Sequence, residues 1–186
     1  MAKIITALFI LLSLQACTSA LVVGTVATVA SVNDPRTIGS QVDDNAIEIE
    51  AMLKLLRDDD INNHTNLNVI SYNGQVLMVG QSPNQFLIDN AVKLVKEIDG
   101  VKKIHNQVKL GTPATMSTKT TDAWLTTKVK SQLLTDDEVE GHNIKVITEN
   151  KTVFLMGLVS GEQANKAATI ASQVNGVEKV VKVFEH

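Results

Sequence analysis

A second cysteine is missing from this chain: Cys17 stands alone among 186 residues. No disulfide can therefore form within it, even in an oxidising compartment. Positive charge is also scarce. Seventeen Lys and Arg against 20 Asp and Glu give a formal net charge of −3, which argues against a general nucleic-acid binder, because phosphate binding needs a basic footprint that releases counterions. There is no glycine-rich phosphate loop, no His-x-x-x-His or cysteine pair for zinc, and no nucleophile motif, so no enzyme, metal or cofactor is expected. His64, His105, His142 and His186 are scattered and read as solvated surface. Asp58-Asp59-Asp60 and Asp136-Asp137-Glu138 are contiguous, so they cannot all turn toward one ion as alternating calcium ligands do. They read as solvated loops at helix ends.

What is present begins with a distinct amino terminus. Lys3 precedes an apolar stretch, Ile4 to Leu14, that ends in Leu14-Gln15-Ala16-Cys17. Residues 1–16 read as a secretory signal peptide. At about 11 residues the stretch is too short to span a membrane, which takes roughly 20. Leu-x-Ala-Cys in this position resembles the lipobox of bacterial lipoproteins, in which the cysteine thiol is acylated and becomes the mature amino terminus. Cys17 is thus the candidate lipid anchor, since each buried CH₂ adds about 0.8 kcal/mol. Thr18, where an inner-membrane retention signal would carry Asp, favours the outer membrane. Residues 17–42 follow as a lipidated tether, with Leu21–Ala30 built of Val, Ala, Thr and Gly and Asp34-Pro35 acting as a turn.

The rest is one unit written twice. Between residues 43–80 and 120–157, ten of 38 pairs are identical without a gap, among them Ala46/Ala123, Leu56/Leu133, Asn66/Asn143, Asn73/Asn150, Val76/Val153 and Gly80/Gly157. After a one-residue shift, Ile98-Asp99-Gly100-Val101 matches Val174-Asn175-Gly176-Val177. Internal repetition at this level marks a duplicated unit.

Each copy reads as helix, two strands, helix, strand. Helical spacing covers 44–57 and 121–134, with Asp44 and Asp122 available as N-caps. The β-branched runs 67–71 and 144–148 turn through Asn73-Gly74 or Asn150-Lys151 into 76–79 and 153–156, forming hairpins. Helices at about 84–98 and 160–174 carry Ala91, Val95 and Ile98, or Ala164, Ala167, Ala171 and Val174, on one side. Gly100 and Gly176 are expected as left-handed caps, before last strands at 101–109 and 177–184. The expected fold is α+β: two tandem two-layer sandwiches with helices on one face of a small sheet. The domains are placed at 43–110 and 119–186, joined by the linker 111–118, which overlaps the Thr-rich stretch Thr112–Thr121.

The pattern αββαβ, with Val-x-x-x-Asn-Gly-x-Val-x-x-x-Gly and then Asp/Asn-Gly-Val after a helix, resembles the BON domain family over both copies. Two such domains behind a lipobox resemble the dual-BON outer-membrane lipoproteins. The resemblance implies a lipid-anchored, periplasm-facing protein that supports envelope integrity and gathers at division sites. It also implies binding to anionic phospholipid, phosphatidylglycerol in particular, through the first helix of the second BON domain.

The residues bear on that implication separately. At about 100° per residue, Leu125, Val129 and Leu133 share the core face, matched in the first copy by Met52 and Leu56. Trp124, Thr127, Ser131 and Leu134 fall opposite, flanked by Lys128 and Lys130, an arrangement suited to a membrane interface. These six are the candidate phospholipid-binding residues. The same pattern also fits Trp124 packing on the neighbouring domain or its own sheet with the lysines solvated. The corresponding first-copy positions are read as Ile47, Glu50, Lys54 and Arg57, flanked by Ala51 and Leu53. Glu50 would repel an anionic headgroup, so the second copy is the expected lipid contact. The alternative function is a periplasmic protein-binding adaptor or chaperone-like module that docks an outer-membrane assembly factor through the exposed helix or a free strand edge; on either reading the chain is expected to be a monomer.

Overall fold

The computed structural model describes residues 36–185. The signal peptide, Cys17 and the segment Leu21–Ala30 lie outside them, as does His186. The first copy runs α1 (Ile38–Arg57), α2 (Asp59–His64), β1 (Asn66–Tyr72), β2 (Gln75–Ser82), α3 (Gln85–Lys96), β3 (Lys103–Asn106) and β4 (Lys109–Leu110). The second runs α4 (Met116–Thr135), a 3₁₀ turn (Gly141–Asn143), β5 (Ile144–Glu149), β6 (Thr152–Leu158), α5 (Gly161–Gln173) and β7 (Lys179–Glu185).

Hydroxyl and amide side chains start the long helices. Thr37, Asn84, Thr115 and Ser160 each accept an amide hydrogen from the first turn, which satisfies donors that have no partner inside the helix. Two expectations are corrected here. Helix α1 takes in Ile38–Val42 of the stretch read as tether, and α4 takes in Met116–Thr118 of the stretch read as linker. Asp44 and Asp122 consequently lie inside their helices and are not N-caps.

The hairpins turn where expected. Asn73 and Gly74 have φ of 53° and 77°, and Asn150 and Lys151 have 46° and 56°, the paired positive values of a two-residue hairpin turn. In each sheet the second hairpin strand is central. It pairs antiparallel with the first strand and parallel with the last. In the first copy that last strand is split into β3 and β4, both paired with β2. The helices α3 and α5 stop at Lys96 and Gln173. Gly100 and Gly176, with φ of 87° and 101°, sit in the turns that follow rather than capping directly.

Each copy is a helix-on-sheet sandwich with its own core. Ile47, Ala51, Leu55, Val76, Met78, Ala91 and Val95 form one, and Leu125, Val129, Leu133, Val153, Leu155, Ala167 and Ala171 form the other. A third cluster joins the copies: Ile70, Tyr72, Leu77 and Val79 pack with Phe154, Met156 and Val183. The two sheets therefore meet through the faces turned away from their helices. Both faces of β2 and β6 are buried, which is why Val76–Val79 and Val153–Met156 are unbroken apolar runs instead of alternating ones. Each large side chain in this seam contributes roughly 1.5–3 kcal/mol of transfer free energy.

Polar contacts frame the seam. Lys145 Nζ reaches Glu48 Oε1 at 2.7 Å, Tyr72 donates to the Asn143 carbonyl at 3.3 Å, Asn73 Nδ2 donates to Glu185 at 2.8 Å, and Gln81 Nε2 donates to Glu149.

Candidate membrane-binding site

Helix α4 is held to its hairpin by Asp122. The side chain is 5% exposed, and its two oxygens accept from the backbone amides of Asn150 and Lys151 at 2.8 Å each. Asp44 does the same in the first copy, accepting from Asn73 and Gly74 amides, the Ser71 hydroxyl and Arg36. Burial pushes the Asp44 carboxyl up, but its hydrogen bonds from Ser71, Gly74, Asn73 and Arg36 outweigh that and hold it below the usual carboxylate range. The clamp fixes the rotation of α4 and so decides which residues face outward.

Leu125, Val129 and Leu133 are fully buried, as expected. Their partners in α1 are not Met52 and Leu56, which are 53% and 50% exposed. They are Ile47, Ala51 and Leu55. The first helices thus repeat at an interval of 78 residues, while the hairpins repeat at 77 and the second helices at 76. The connection from helix to hairpin is one residue longer in the first copy, where it forms α2 instead of a 3₁₀ turn. An ungapped comparison cannot show that shift, so the identities Leu56/Leu133 and Ala46/Ala123 join positions that are not equivalent. The first-copy counterparts of the candidate site are Ala46, Ile49, Glu50, Met52, Leu53 and Leu56. Ile47 and Ala51, read as outward, are core.

All six candidate residues are on the exposed side of α4. Trp124 is 50% and Leu134 54% exposed. The ammonium of Lys128 stands 4.4 Å from the centre of the Trp124 ring, a cation–π pair that braces the indole in its outward pose. Lys130 lies on the opposite flank. The hydroxyl of Thr127 donates back to the Ala123 carbonyl at 3.0 Å, and Thr120 likewise to Met116, so these threonines turn methyl groups outward. The outer face is therefore more apolar than its composition suggests.

Met116, 77% exposed, was assigned to the linker and so missed. Helical spacing aligns it with Thr127 and Leu134, which extends the apolar line over the whole helix. The signal was available: Pro113 followed by Thr115, three residues before the amide that Thr115 caps, is a helix start. Apart from the buried Asp122, the charges on α4 are Lys119, Lys128 and Lys130, and Lys119 donates to Asn66.

Among the described residues, no helix is long and apolar enough to cross a membrane, and no group of three or more His, Cys, Asp or Glu could hold a metal ion. His64 and His142 are exposed, but His105 is half-buried and bonded through Nε2 to Gln75 at 2.8 Å. That corrects its reading as solvated.

Sequence comparison places this arrangement in a class. The BON domain model matches residues 43–112 and 121–185, and the chain belongs to the BON domain family, with two copies of the domain. It is similar to the outer membrane lipoprotein DolP of Haemophilus influenzae, at 40% identity over 93% of this chain and 90% of that one. It is also similar to a 21 kDa hemolysin of Actinobacillus pleuropneumoniae, at 40% identity over 82% and 79%, and to the osmotically inducible protein Y of Escherichia coli, at 30% over 77% and 72%.

Proposed function

We propose that the chain is an outer-membrane lipoprotein, anchored through acylated Cys17 and facing the periplasm. In this reading it binds anionic phospholipid, phosphatidylglycerol in particular, through the outer face of α4, supports outer-membrane integrity and gathers at division sites. It acts as a monomer without enzymatic activity. The observation that carries the lipid contact is the exposed Trp124 braced by Lys128, on an apolar line from Met116 to Leu134 that presents lysines and no exposed carboxylate. Indole rings and lysine stems favour the boundary between headgroups and acyl chains. The name of the Haemophilus relative supports the location.

Trp124 is the only tryptophan, so its emission reports on this face alone. With the full chain in vesicles, a blue shift is expected when phosphatidylglycerol is present and not in purely zwitterionic vesicles. The anchor is the same in both. Equal emission in the two would sink the proposal. The double variant Lys128→Glu, Lys130→Glu is expected to remove the difference while far-UV circular dichroism stays unchanged.

A further inference from the structure

The first domain carries a different surface. Helix α1 exposes an apolar line of Ile38, Val42, Ile49, Leu53 and Leu56, each between 42% and 61% exposed. Between this helix and β1 runs a groove of about 440 Å³, lined by Ile49, Met52, Leu56, Asn62, Leu67 and Val69 among others. Its floor borders the outer edge of a strand that has no neighbour on that side.

Two ends of that edge differ. The Ser71 amide donates to Glu48 at 2.8 Å, its carbonyl accepts from Lys145 at 3.2 Å, and the Asn73 amide is held by Asp44. Those contacts show that odd-numbered residues of β1 point their backbone groups outward, as alternation in an antiparallel pair requires. Leu67 and Val69 therefore also present amide and carbonyl to the groove, and among the described residues nothing pairs with them. Half of the edge is closed by side chains and half is open. In the second domain the corresponding connection is the 3₁₀ turn, which packs close on the end of α4: a Cβ on Gly141 would meet the Leu133 carbonyl at 2.2 Å.

Charge separates the possible occupants. From Ile38 to His64 the exposed charged residues are Asp43, Glu50, Asp59 and Asp60 against Arg57, the reverse of the outer face of α4. An anionic membrane is repelled there, and an acyl chain would leave the open backbone groups unpaired. We propose that this groove receives a short extended segment of a partner polypeptide. The segment adds as a strand beside Leu67 and Val69, sets apolar side chains against Ile49, Met52 and Leu56, and places a basic residue toward Asp59, one helical turn before Asn62. Main-chain bonds along a sheet edge give affinity and alternate side chains give selectivity. This surface is separate from α4, so the two proposals stand or fall independently.

The test is a photo-crosslinking residue at Met52 in the full chain within cells. The expected product is an adduct to another polypeptide, mapped by mass spectrometry to a segment of alternating apolar residues with a nearby Lys or Arg. Val69→Pro removes one outward amide at an edge position that tolerates proline, and it is expected to lower the adduct about threefold to tenfold. Ile49→Lys, on an exposed position, is expected to abolish it and covers the case in which the proline variant does not fold. A synthetic peptide of the mapped sequence is then expected to slow amide exchange at Leu67 and Val69. Lipid adducts, adducts to a second copy of this chain, no adduct, or unchanged exchange at those two amides would each overturn the proposal.

Discussion

The carboxylate of Asp122 and the amide of Asn150 meet at 2.8 Å, tying the second turn of α4 to the tip of a hairpin 28 positions later. The bond explains how Lys151 occupies a φ of 56°, a conformation that disfavours most side chains. Its own amide donates to the other oxygen of the same carboxylate. Helix, turn and sheet are thus locked by one side chain.

Removing that clamp leaves two turn amides without their acceptor. Asp122→Ala is expected to cost about 1–3 kcal/mol in urea unfolding of the full chain. Asp44→Ala should cost more, because its carboxylate also serves Ser71 and Arg36. An Asp44→Ala variant as stable as the parent would show that the clamp is dispensable.

The clamp also sets an acid limit. Because the folded Asp44 carboxyl lies below its ordinary value of 3.8, the unfolded chain takes up the proton first. The stability it contributes is complete above 3.8 and is lost as pH falls through the folded value. Unfolding midpoints measured from pH 6 downward are expected to drop in the parent chain, and to drop less in Asp44→Asn.

His105 titrates differently from a free histidine. Burial, with Lys103 nearby, lowers its pKa from 6.5. NMR titration of its ring is expected to show a midpoint below that value, and Lys103→Ala, which removes the nearby positive charge, should bring it back up.

The shifted interval between the first helices has a direct test. Leu133→Ala, at a fully buried site, is expected to cost about 2–5 kcal/mol. Leu56→Ala, its partner in the ungapped repeat, should stay within about 0.5 kcal/mol of the parent. Equal losses would restore the interval of 77.

The seam between the sheets predicts coupled unfolding. Phe154→Ala is expected to cost about 3–5 kcal/mol and to split one calorimetric transition into two, since the side chain packs with residues of the other copy. A small loss with the transition unchanged would mean that the seam does not couple the copies.

Much of this architecture is local and so was readable in order along the chain. Duplication, the Asn-Gly turn and the apolar spacing of α4 placed two αββαβ units, and the outward set from Trp124 to Leu134 followed from helical periodicity alone. What the chain order could not supply was rotation and contact at a distance. One extra residue before the first hairpin turned Met52 and Leu56 out of the core, because a single-residue shift rotates a helix by about 100°. Asp44 and Asp122 looked like caps since a carboxylate near a helix start satisfies amides, yet the amides they satisfy belong to turns almost thirty residues away. The runs Val76–Val79 and Val153–Met156 were placed as hairpin strands with helices on one side, and nothing in them named a cover for the other face. Only the folded chain showed that each covers the other, because burial requires a partner surface and sequence periodicity does not name it.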